Sequence, residues 1–497
     1  METLSRIYRE NLALATDLYQ LTMSYGYWRT GAHTKEAVFN LFFRRHPFKG
    51  GYTIACGLGY VVEYLRHFKF EESDLEYLAG LTGNDGKPLF DDGFLAHLRE
   101  MEFACDVDAM PEGTIVFPHE PLLRIKGPII QCQILETALL CIMNFQTLIA
   151  TKASRIASAA GEDPVLEFGL RRAQGLDGAL SASYAAHVGG CAATSNVLAG
   201  KVFGIPVKGT HAHSWIMSFD DELEAFQRYA EAMPNNCVFL VDTYDTIEGV
   251  RKAIKVGEWL KEHGHKMVGI RLDSGDLAQL SIDARRLMDE AGFPDAAIVA
   301  SNDLNERLVK ELKRDGCRIN VWGIGTKLVT AHDQPALGGV YKLAAIRKSA
   351  DDAWLNRVKL SEQEIKVSNP GVQQVRRFYR AGEAVGDMIL DEGLGMNVEG
   401  AAVDQSDNAS RESFGADLER EDLLRPLFRK GEFVGEMPSL KDSRERAMAQ
   451  RKKFAPDVRR FDEPARYFVG LEEQLFELKS RLIAEARVAK PETGGDA

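Results

Sequence analysis

The chain has no closely paired cysteines. Its seven cysteines are an odd number and none stands in a CxxC spacing, which argues against a structural zinc site and against a fully paired disulfide framework. They read as reduced, mostly buried thiols of a cytoplasmic protein. Long apolar runs are also lacking. The richest, residues 134–143 (ILETALLCIM), is too short to span a bilayer and carries Glu136. The opening METLSRIYREN scatters charges where a secretory signal would place an apolar core. Nor is there an excess of basic residues: a net charge of −12 argues against a general binder of nucleic acid or of anionic membranes. It leaves room for a local basic pocket that takes a small anion.

What is present is an ordinary soluble composition, 45% hydrophobic and 27% charged over 497 residues, long enough for two or three domains. Residues 1–148 mix helical patterns with short strands such as AVFNLFF (37–43) and GTIVFPHEPLLRIKG (113–127), and predict an N-terminal α/β domain. From 149 to 347 a rhythm sets in. Strand-like runs begin at VLEFGLR (165), KVFGIPVKGTHAH (201), CVFLVDTYD (237), KMVGIRLDSGD (266), AAIVASNDLN (296) and INVWGIGTKL (319). They start roughly 30 residues apart with amphipathic stretches between them, the period of βα units in a parallel sheet. Polar residues gather at the C-terminal end of each run, the face on which a βα barrel carries its chemistry. Six runs are fewer than the usual eight, so the expectation is an irregular, incomplete barrel, with an open doubly wound sheet as the alternative. Residues 348–497 are more charged and less periodic, and are expected to pack back on the N-terminal domain. Within them 400–422 reads as a long exposed loop, 436–454 as a charged helix opened by Pro438 and Ser439, and 490–497 as a disordered tail.

Each strand end carries a candidate motif with a plainer reading beside it. VWGIGTKL (321–328) sets Gly323, Gly325 and Thr326 before a helix, where backbone amides and the helix start suit a phosphate; a tight βα turn is the alternative. RLDSGDL (271–277) supplies Arg271, Asp273, Ser274 and Asp276, and VDTYD (241–245) supplies Asp242, Thr243 and Asp245. Such carboxylates suit a ribose diol, magnesium or developing positive charge, or simply cap helices. EFGLRRAQG (167–175) brings Phe168, Gly169, Arg171 and Arg172, an aromatic and paired cations for a planar anion or a surface salt bridge. His211 and His213 in GTHAHSW (209–215) have no HExxH or cysteine spacing around them to suggest a metal. One of them suits a general base or nucleophile. In TDLYQLTMSYGYW (16–28), Thr16 reads as an N-cap, and Leu18, Leu21, Thr22 and Tyr25 as a buried stripe. Tyr19 falls off that stripe.

Taken in order, TDLYQLTM, EFGLRRAQG, ATSN (193–196), GTHAHSW, VDTYDT, RLDSGDL, SNDLNE (301–306), GIGTKL and GGVYKL (338–343) resemble the nicotinate phosphoribosyltransferase family. The likeness runs from about residue 10 to 480, including PLFRKGEF (426–433) and YFVGLEEQLFELK (467–479). It implies an N-terminal α/β domain with an incomplete barrel, assembled as a cytoplasmic homodimer that shares its active sites. It implies the joining of nicotinate to phosphoribosyl pyrophosphate in NAD salvage, coupled to ATP through a phosphorylated histidine, with magnesium on ligands left unknown. Carried over by position, His213 is the phosphate acceptor, while Asp242 and Asp273 face the ribose or its magnesium. Arg171 lies near the phosphates, Gly323, Gly325 and Thr326 hold the 5′-phosphate, and Gly169, Ser274 and Asn302 complete the substrate site. Arg271 is the candidate for the nicotinate carboxylate. Phe168 and a partner's Tyr19 would sandwich the ring, and Lys359, Ser361 and Lys366 resemble a phosphate-binding loop from the other subunit. No role falls to His211.

Ser195 bears on substrate choice, because the related nicotinamide-using enzymes carry an aspartate there. A serine donates to a carboxylate that an aspartate would repel. Gly189–Gly190–Cys191 stands where a larger residue is expected and should alter packing near Ser195. The rival readings are a nicotinamide or quinolinate phosphoribosyltransferase and a non-catalytic phosphosugar-binding relative. A barrel aldolase is weaker, because Lys208 and Lys327 lack a desolvated setting.

Overall fold

In a computed structural model of the chain, described residues are 11–361, 363–405 and 407–488; the tail expected at 490–497 lies outside them. The chain divides into two compact units. One comprises residues 1–147 with 337–497, and the other residues 148–336. The strand Gly339–Arg347, expected at the end of the barrel segment, belongs to the first unit because it pairs along Glu36–Phe43 from Glu36↔Arg347 to Phe43↔Gly339. No described helix is long and apolar enough to cross a membrane.

The first unit is built on two large sheets. Seven strands form an antiparallel sheet in the order 355–356, 339–347, 36–43, 123–128, 106–109, 425–429, 432–433. Its interior strand Glu36–Phe43 is buried along nearly its whole length. A second, six-stranded sheet comes wholly from the C-terminal segment, in the order 411–413, 401–404, 469–472, 383–391, 373–380, 419–422. The expected loop 400–422 therefore contains three strands, Ala401–Asp404, Arg411–Ser413 and Glu419–Asp422. Its polar lettering is the solvent face, and its inward side chains Phe414 and Leu418 join Phe378, Met388 and Leu390 in a core cluster. Phe414 stacks on Phe378 with centroids 4.2 Å apart. The charged helix is present as Leu440–Lys452, with Ser439 as its N-cap in a capping box.

At the N-terminus the helix spans Leu18–Arg29 with Asp17, not Thr16, at the N-cap position. Thr16 Oγ1 instead donates to the Ile134 carbonyl at 3.1 Å. The buried line is Gln20, Leu21 and Ser24, so of the expected stripe only Leu21 is fully covered, and Leu18, Tyr19 and Met23 are exposed.

The second unit holds a parallel sheet of six short strands: β1 (Val165–Glu167), β2 (Ala193–Thr194), β3 (Val238–Leu240), β4 (Gly269–Leu272), β5 (Ala297–Ala300) and β6 (Val321–Ile324). Their order is β2-β1-β6-β5-β4-β3, and every pairing is parallel. The helices are α1 (Gly175–Val188), α2 (Val197–Phe203), α3 (His213–Met217), α4 (Glu222–Ala232), α5 (Thr246–Glu262), α6 (Leu277–Glu290), α7 (Glu306–Arg314) and α8 (Thr326–Val329). The run at 201–213 is not a strand. Its first residues finish α2, and it meets the sheet only at the isolated parallel bridge Thr194↔Val207.

Helix α5 shows why the crossovers form. Val250, Ala253, Val256, Gly257 and Leu260 fall on one buried face, and Asp245 caps the start by accepting from Glu248 N at 2.9 Å. Asp276 caps α6 in the same way. The capping reading thus holds for Asp245 and Asp276, which frees attention for the other carboxylates of those motifs. Gly189, expected to alter packing near Ser195, permits a close approach to the Ala150 backbone: a Cβ there would lie 2.2 Å from the Ala150 carbonyl oxygen.

Candidate active site

A cavity of about 530 Å³ opens at the C-terminal ends of the parallel strands. Ten of the sequence-predicted residues line it: Phe168, Arg171, Ser195, His213, Arg271, Asp273, Asn302, Gly323, Gly325 and Thr326. Because each short strand stops where its polar motif begins, one face of the sheet collects side chains far apart in sequence.

Asp242, just past β3, is the hub beneath the cavity floor. Its side chain is 1% exposed. One carboxylate oxygen lies 3.3 Å from His213 Nε2, while the other accepts from Asp273 N at 2.9 Å and from Ser274 Oγ at 2.6 Å. Asp242 therefore does not line the cavity, contrary to the expectation that it faces ribose or magnesium. It orients two groups that do, while Ser274 is exposed and lies outside the cavity lining. His213, the first residue of α3, keeps its side chain 40% exposed, so the imidazole is both anchored and accessible.

Asp273 faces the cavity, and Oδ1 accepts from Arg271 Nη2 at 3.2 Å and from Ser301 Oγ. Arg271 also donates from Nε to Ser301 Oγ at 2.7 Å and from Nη1 to Thr210 Oγ1 at 2.9 Å, which fixes the guanidinium as a planar wall. Asn302 holds φ at 107°, a strained backbone of the kind that clusters at ligand sites.

The glycines of the GIGT turn do more than expose amides. A Cβ at Gly323 would lie 2.7 Å from the Phe168 ring, and one at Gly325 would lie 2.9 Å from the Phe168 carbonyl oxygen. They let the Phe168 segment lie flat on the end of β6. Gly169, for its part, packs against Val329, which a Cβ would approach to 2.2 Å. The helix expected to lend its positive end is the single turn α8 of four residues, so a macrodipole adds little at this turn.

His211 answers differently from its neighbour. It is 8% exposed, packs edge-on against Tyr229, and its Nε2 accepts from Leu240 N at 3.3 Å. Burial pushes its pKa down to about 4, so it stays a neutral acceptor. That bond ties the segment following the Val207 bridge to the end of β3, at the opposite edge of the sheet.

Four predicted residues belong to the other unit. Tyr19 is exposed on the helix Leu18–Arg29, with its phenol pKa raised by partial burial and then by the charges of Glu136 and Asp17. Lys359 and Lys366 are exposed and Ser361 is half-buried. The Lys359 amide donates to Ser368 Oγ at 2.9 Å, and Ser361 Oγ accepts from Gln363 N at 3.3 Å. Burial holds Lys342 below the usual lysine range, with the charge of Glu136 opposing the shift and those of Arg44 and Lys359 adding to it.

Sequence reading gave no role to Thr210, Ser301 and Asp303, which line the cavity, or to the buried Glu167. Glu167, Ser301 and Asp303 sit at strand ends, the signal that found their neighbours, whereas Thr210 lies in the run at 201–213 that is not a strand. Among the described residues no group of three or more histidine, cysteine or acidic side chains is arranged to hold a metal ion.

Three family models match almost end to end: the nicotinate phosphoribosyltransferase N-terminal domain over 14–144, the nicotinate phosphoribosyltransferase family over 164–356, and the corresponding C-terminal domain over 372–479. The chain belongs to the nicotinate phosphoribosyltransferase family. It is 43% identical over 495 residues to a nicotinate phosphoribosyltransferase of Bacillus subtilis, covering 96% of each. To the Homo sapiens protein of that name it is 36% identical, covering 95% of this chain and 96% of the other. The crystal structure of human nicotinic acid phosphoribosyltransferase superposes with a TM-score of 0.82 at 34% identity, covering 94% of this chain and 99% of that one. A nicotinate-nucleotide pyrophosphorylase from Pyrococcus furiosus, at 23% identity and a TM-score of 0.66, shares the fold.

Proposed function

We propose that this member of the family transfers the 5-phosphoribosyl group from phosphoribosyl pyrophosphate to nicotinate, giving nicotinate mononucleotide and pyrophosphate, with ATP hydrolysis coupled through His213. The observation that carries the reading is the linked set His213–Asp242–Asp273, buried at one end and open to the cavity at the other. The six-stranded sheet is read as an irregular, incomplete barrel with His211 tying its free edges.

Nicotinate's ring nitrogen carries a lone pair, so no strong base is needed. The barrier lies in breaking the C1–oxygen bond, with positive charge growing on the ribose and negative charge on the departing diphosphate. Asp273, held by Arg271 and Ser301, is placed to stabilise the ribose charge. Arg171 serves the diphosphate, and the amides at Gly323, Gly325 and Thr326 take the 5′-phosphate. Asn302, beside Asp273 at the mouth, contacts the sugar. Phe168, flattened on Gly323, offers a face to the pyridine, with Tyr19 of the partner subunit on the other side. Lys359, Ser361 and Lys366 of the partner subunit meet the phosphates. The exposed apolar residues Val197, Leu198 and Val202 on α2 support a homodimer. Magnesium, if carried in on the diphosphate, would neutralise its charge. Two cavity carboxylates, Asp273 and Asp303, with no dedicated cage, suit an ion borne by substrate.

For the coupling step, Asp242 at Nε2 fixes the tautomer so that His213 Nδ1 presents its lone pair. That nitrogen attacks the terminal phosphorus of ATP, ADP leaves, and water later cleaves the N–P bond. Ser195 at the cavity wall favours nicotinate over nicotinamide, since its hydroxyl donates to a carboxylate.

The deciding assay is pyrophosphate release with nicotinate or nicotinamide, each with and without ATP. Nicotinate turnover raised by ATP supports every part of the reading. Nicotinamide turnover overturns the Ser195 argument, and no turnover of either favours a non-catalytic phosphosugar-binding relative. His213→Ala is expected to keep some product formation and lose the gain from ATP; full stimulation in that variant removes His213 from the coupling step.

A further inference from the structure

Glu167, the last residue of β1, is 1% exposed, yet the reaction as derived gives it nothing to do. Its carboxylate is met by neutral donors. The amide of Gly169 donates to one oxygen, while Ser183 Oγ on α1 donates to the other at 2.8 Å and Thr194 Oγ1 at 2.6 Å. Its own carbonyl accepts from Ser195 N at 2.9 Å. The network then closes around Ser195. Thr194 Oγ1 accepts from Asn196 N at 3.0 Å, and Asn196 Nδ2 donates to Ser183 Oγ at 3.2 Å.

One buried carboxylate thus ties together two loops that line the cavity. Through Gly169 it holds the Phe168–Arg172 segment, and through Thr194 and Asn196 it holds both flanks of Ser195. These are the loops that present the aromatic face and the discriminating hydroxyl. Burying a carboxylate among neutral donors is a costly way to stabilise a fold, since several kcal/mol of solvation are lost and a hydrophobic side chain would pack there without that loss. What the carboxylate provides is an acceptor-only group on which three donors can converge with fixed geometry.

We infer that Glu167 is a positioning residue for the nicotinate subsite: it sets the spacing between the Phe168 ring and the Ser195 hydroxyl through Gly169 and Thr194. This rests on the proposed function, which assigns nicotinate to that end of the cavity. The substitution Glu167→Gln makes the argument sharp. The amide oxygen still accepts from Gly169 N, but the new NH₂ meets Ser183 and Thr194 as a donor. Ser183 tolerates this, because its hydroxyl has a second acceptor in the Ala179 carbonyl at 3.0 Å. Thr194 Oγ1 already accepts from Asn196 N, and the acceptor then left for its O–H is Ser183 Oγ at the longer distance of 3.5 Å, so the strain falls on the residue beside Ser195.

Steady-state kinetics should separate the two substrates. In Glu167→Gln the KM for nicotinate is expected to rise about tenfold, with the KM for phosphoribosyl pyrophosphate changed by less than about twofold. Thr194→Val, which keeps shape and removes the hydroxyl, should give a smaller rise of about threefold for nicotinate, and Thr194→Ser should restore the wild-type value. A purely structural role would move both substrates or only the amount of folded protein. The inference is overturned if both KM values rise together in Glu167→Gln, or if Thr194→Val matches wild type. Wild-type enzyme assayed alongside separates the two failures. No nicotinate turnover by wild type overturns the proposed function and the inference with it, whereas normal wild-type turnover with unselective variants overturns the inference alone.

Discussion

Asp242 in the parallel-sheet unit and Asp387 in the antiparallel unit are both almost completely buried, at 1% and 0% side-chain exposure, but their partners differ in kind. Asp387 is bound by Arg377 through Nε at 2.8 Å and Nη2 at 2.6 Å, and by Tyr467 OH at 2.9 Å. Arg377 is itself fully buried. Nearby, burial and then the charge of Asp387 push the Glu120 carboxyl well above its usual range. That set is sealed from solvent, with long strands of eight and nine residues around it. Asp242 instead holds a half-exposed imidazole and the backbone of a cavity carboxylate, at the end of a strand of three residues. Long strands fix charges for cohesion. Short strands release the chain early, so that their polar ends converge on a ligand.

If that contrast is right, damage in the two units should register in different measurements. The largest effect is expected for Asp273→Asn: kcat should fall by about 10³-fold, while Tm moves by no more than about 2 °C. A matching collapse in Tm would break the contrast. Arg377→Met should do the reverse. Leaving Asp387 buried without its cation is expected to lower unfolding free energy by about 3–5 kcal/mol, read by denaturant titration, with activity per folded molecule unchanged. A smaller effect belongs to Gly323→Ala, whose methyl must displace the Phe168 ring. The nicotinate KM should rise about tenfold at nearly constant stability.

The smallest expected effect is a pH dependence. Burial holds His211 at about 4 and His46 at about 3, against an ordinary value of 6.5. Folded values below the unfolded one mean that unfolding takes up protons. Their stabilisation is therefore complete above pH 6.5 and is lost as pH falls toward 4 for His211 and toward 3 for His46. Thermal melts between pH 7 and 4 should show Tm falling more steeply in wild type than in His211→Gln, and the difference between the curves isolates the His211 contribution. Parallel curves would show that His211 is protonated in the folded protein.

Legibility followed the same division. The βα rhythm is local, because each strand and its crossover helix lie within one short segment, so strand ends and their motifs could be placed from the letters. The C-terminal sheet is not local. Val469–Glu472 enters between Ala401–Asp404 and Glu383–Asp391, and no pattern within 400–422 announces a partner so distant in sequence. Its polar outer face read as loop for that reason.

Within the site, the sequence by itself determined which residue types reach the strand ends. Asp273, Arg271, Ser195, His213 and the GIGT glycines all line the cavity as their positions require. Tertiary structure decided how they divide the work. Whether an aspartate caps a helix, as Asp245 does, or underpins a histidine, as Asp242 does, depends on which neighbouring strand end brings a partner into hydrogen-bonding range. The same holds for His211 and His213: only two residues apart, they differ because Tyr229 and Phe226 pack against the His211 ring and bury it, while the His213 side chain stays 40% exposed. Side-chain chemistry is a local property, whereas burial and partnership are set by segments that meet only in the fold.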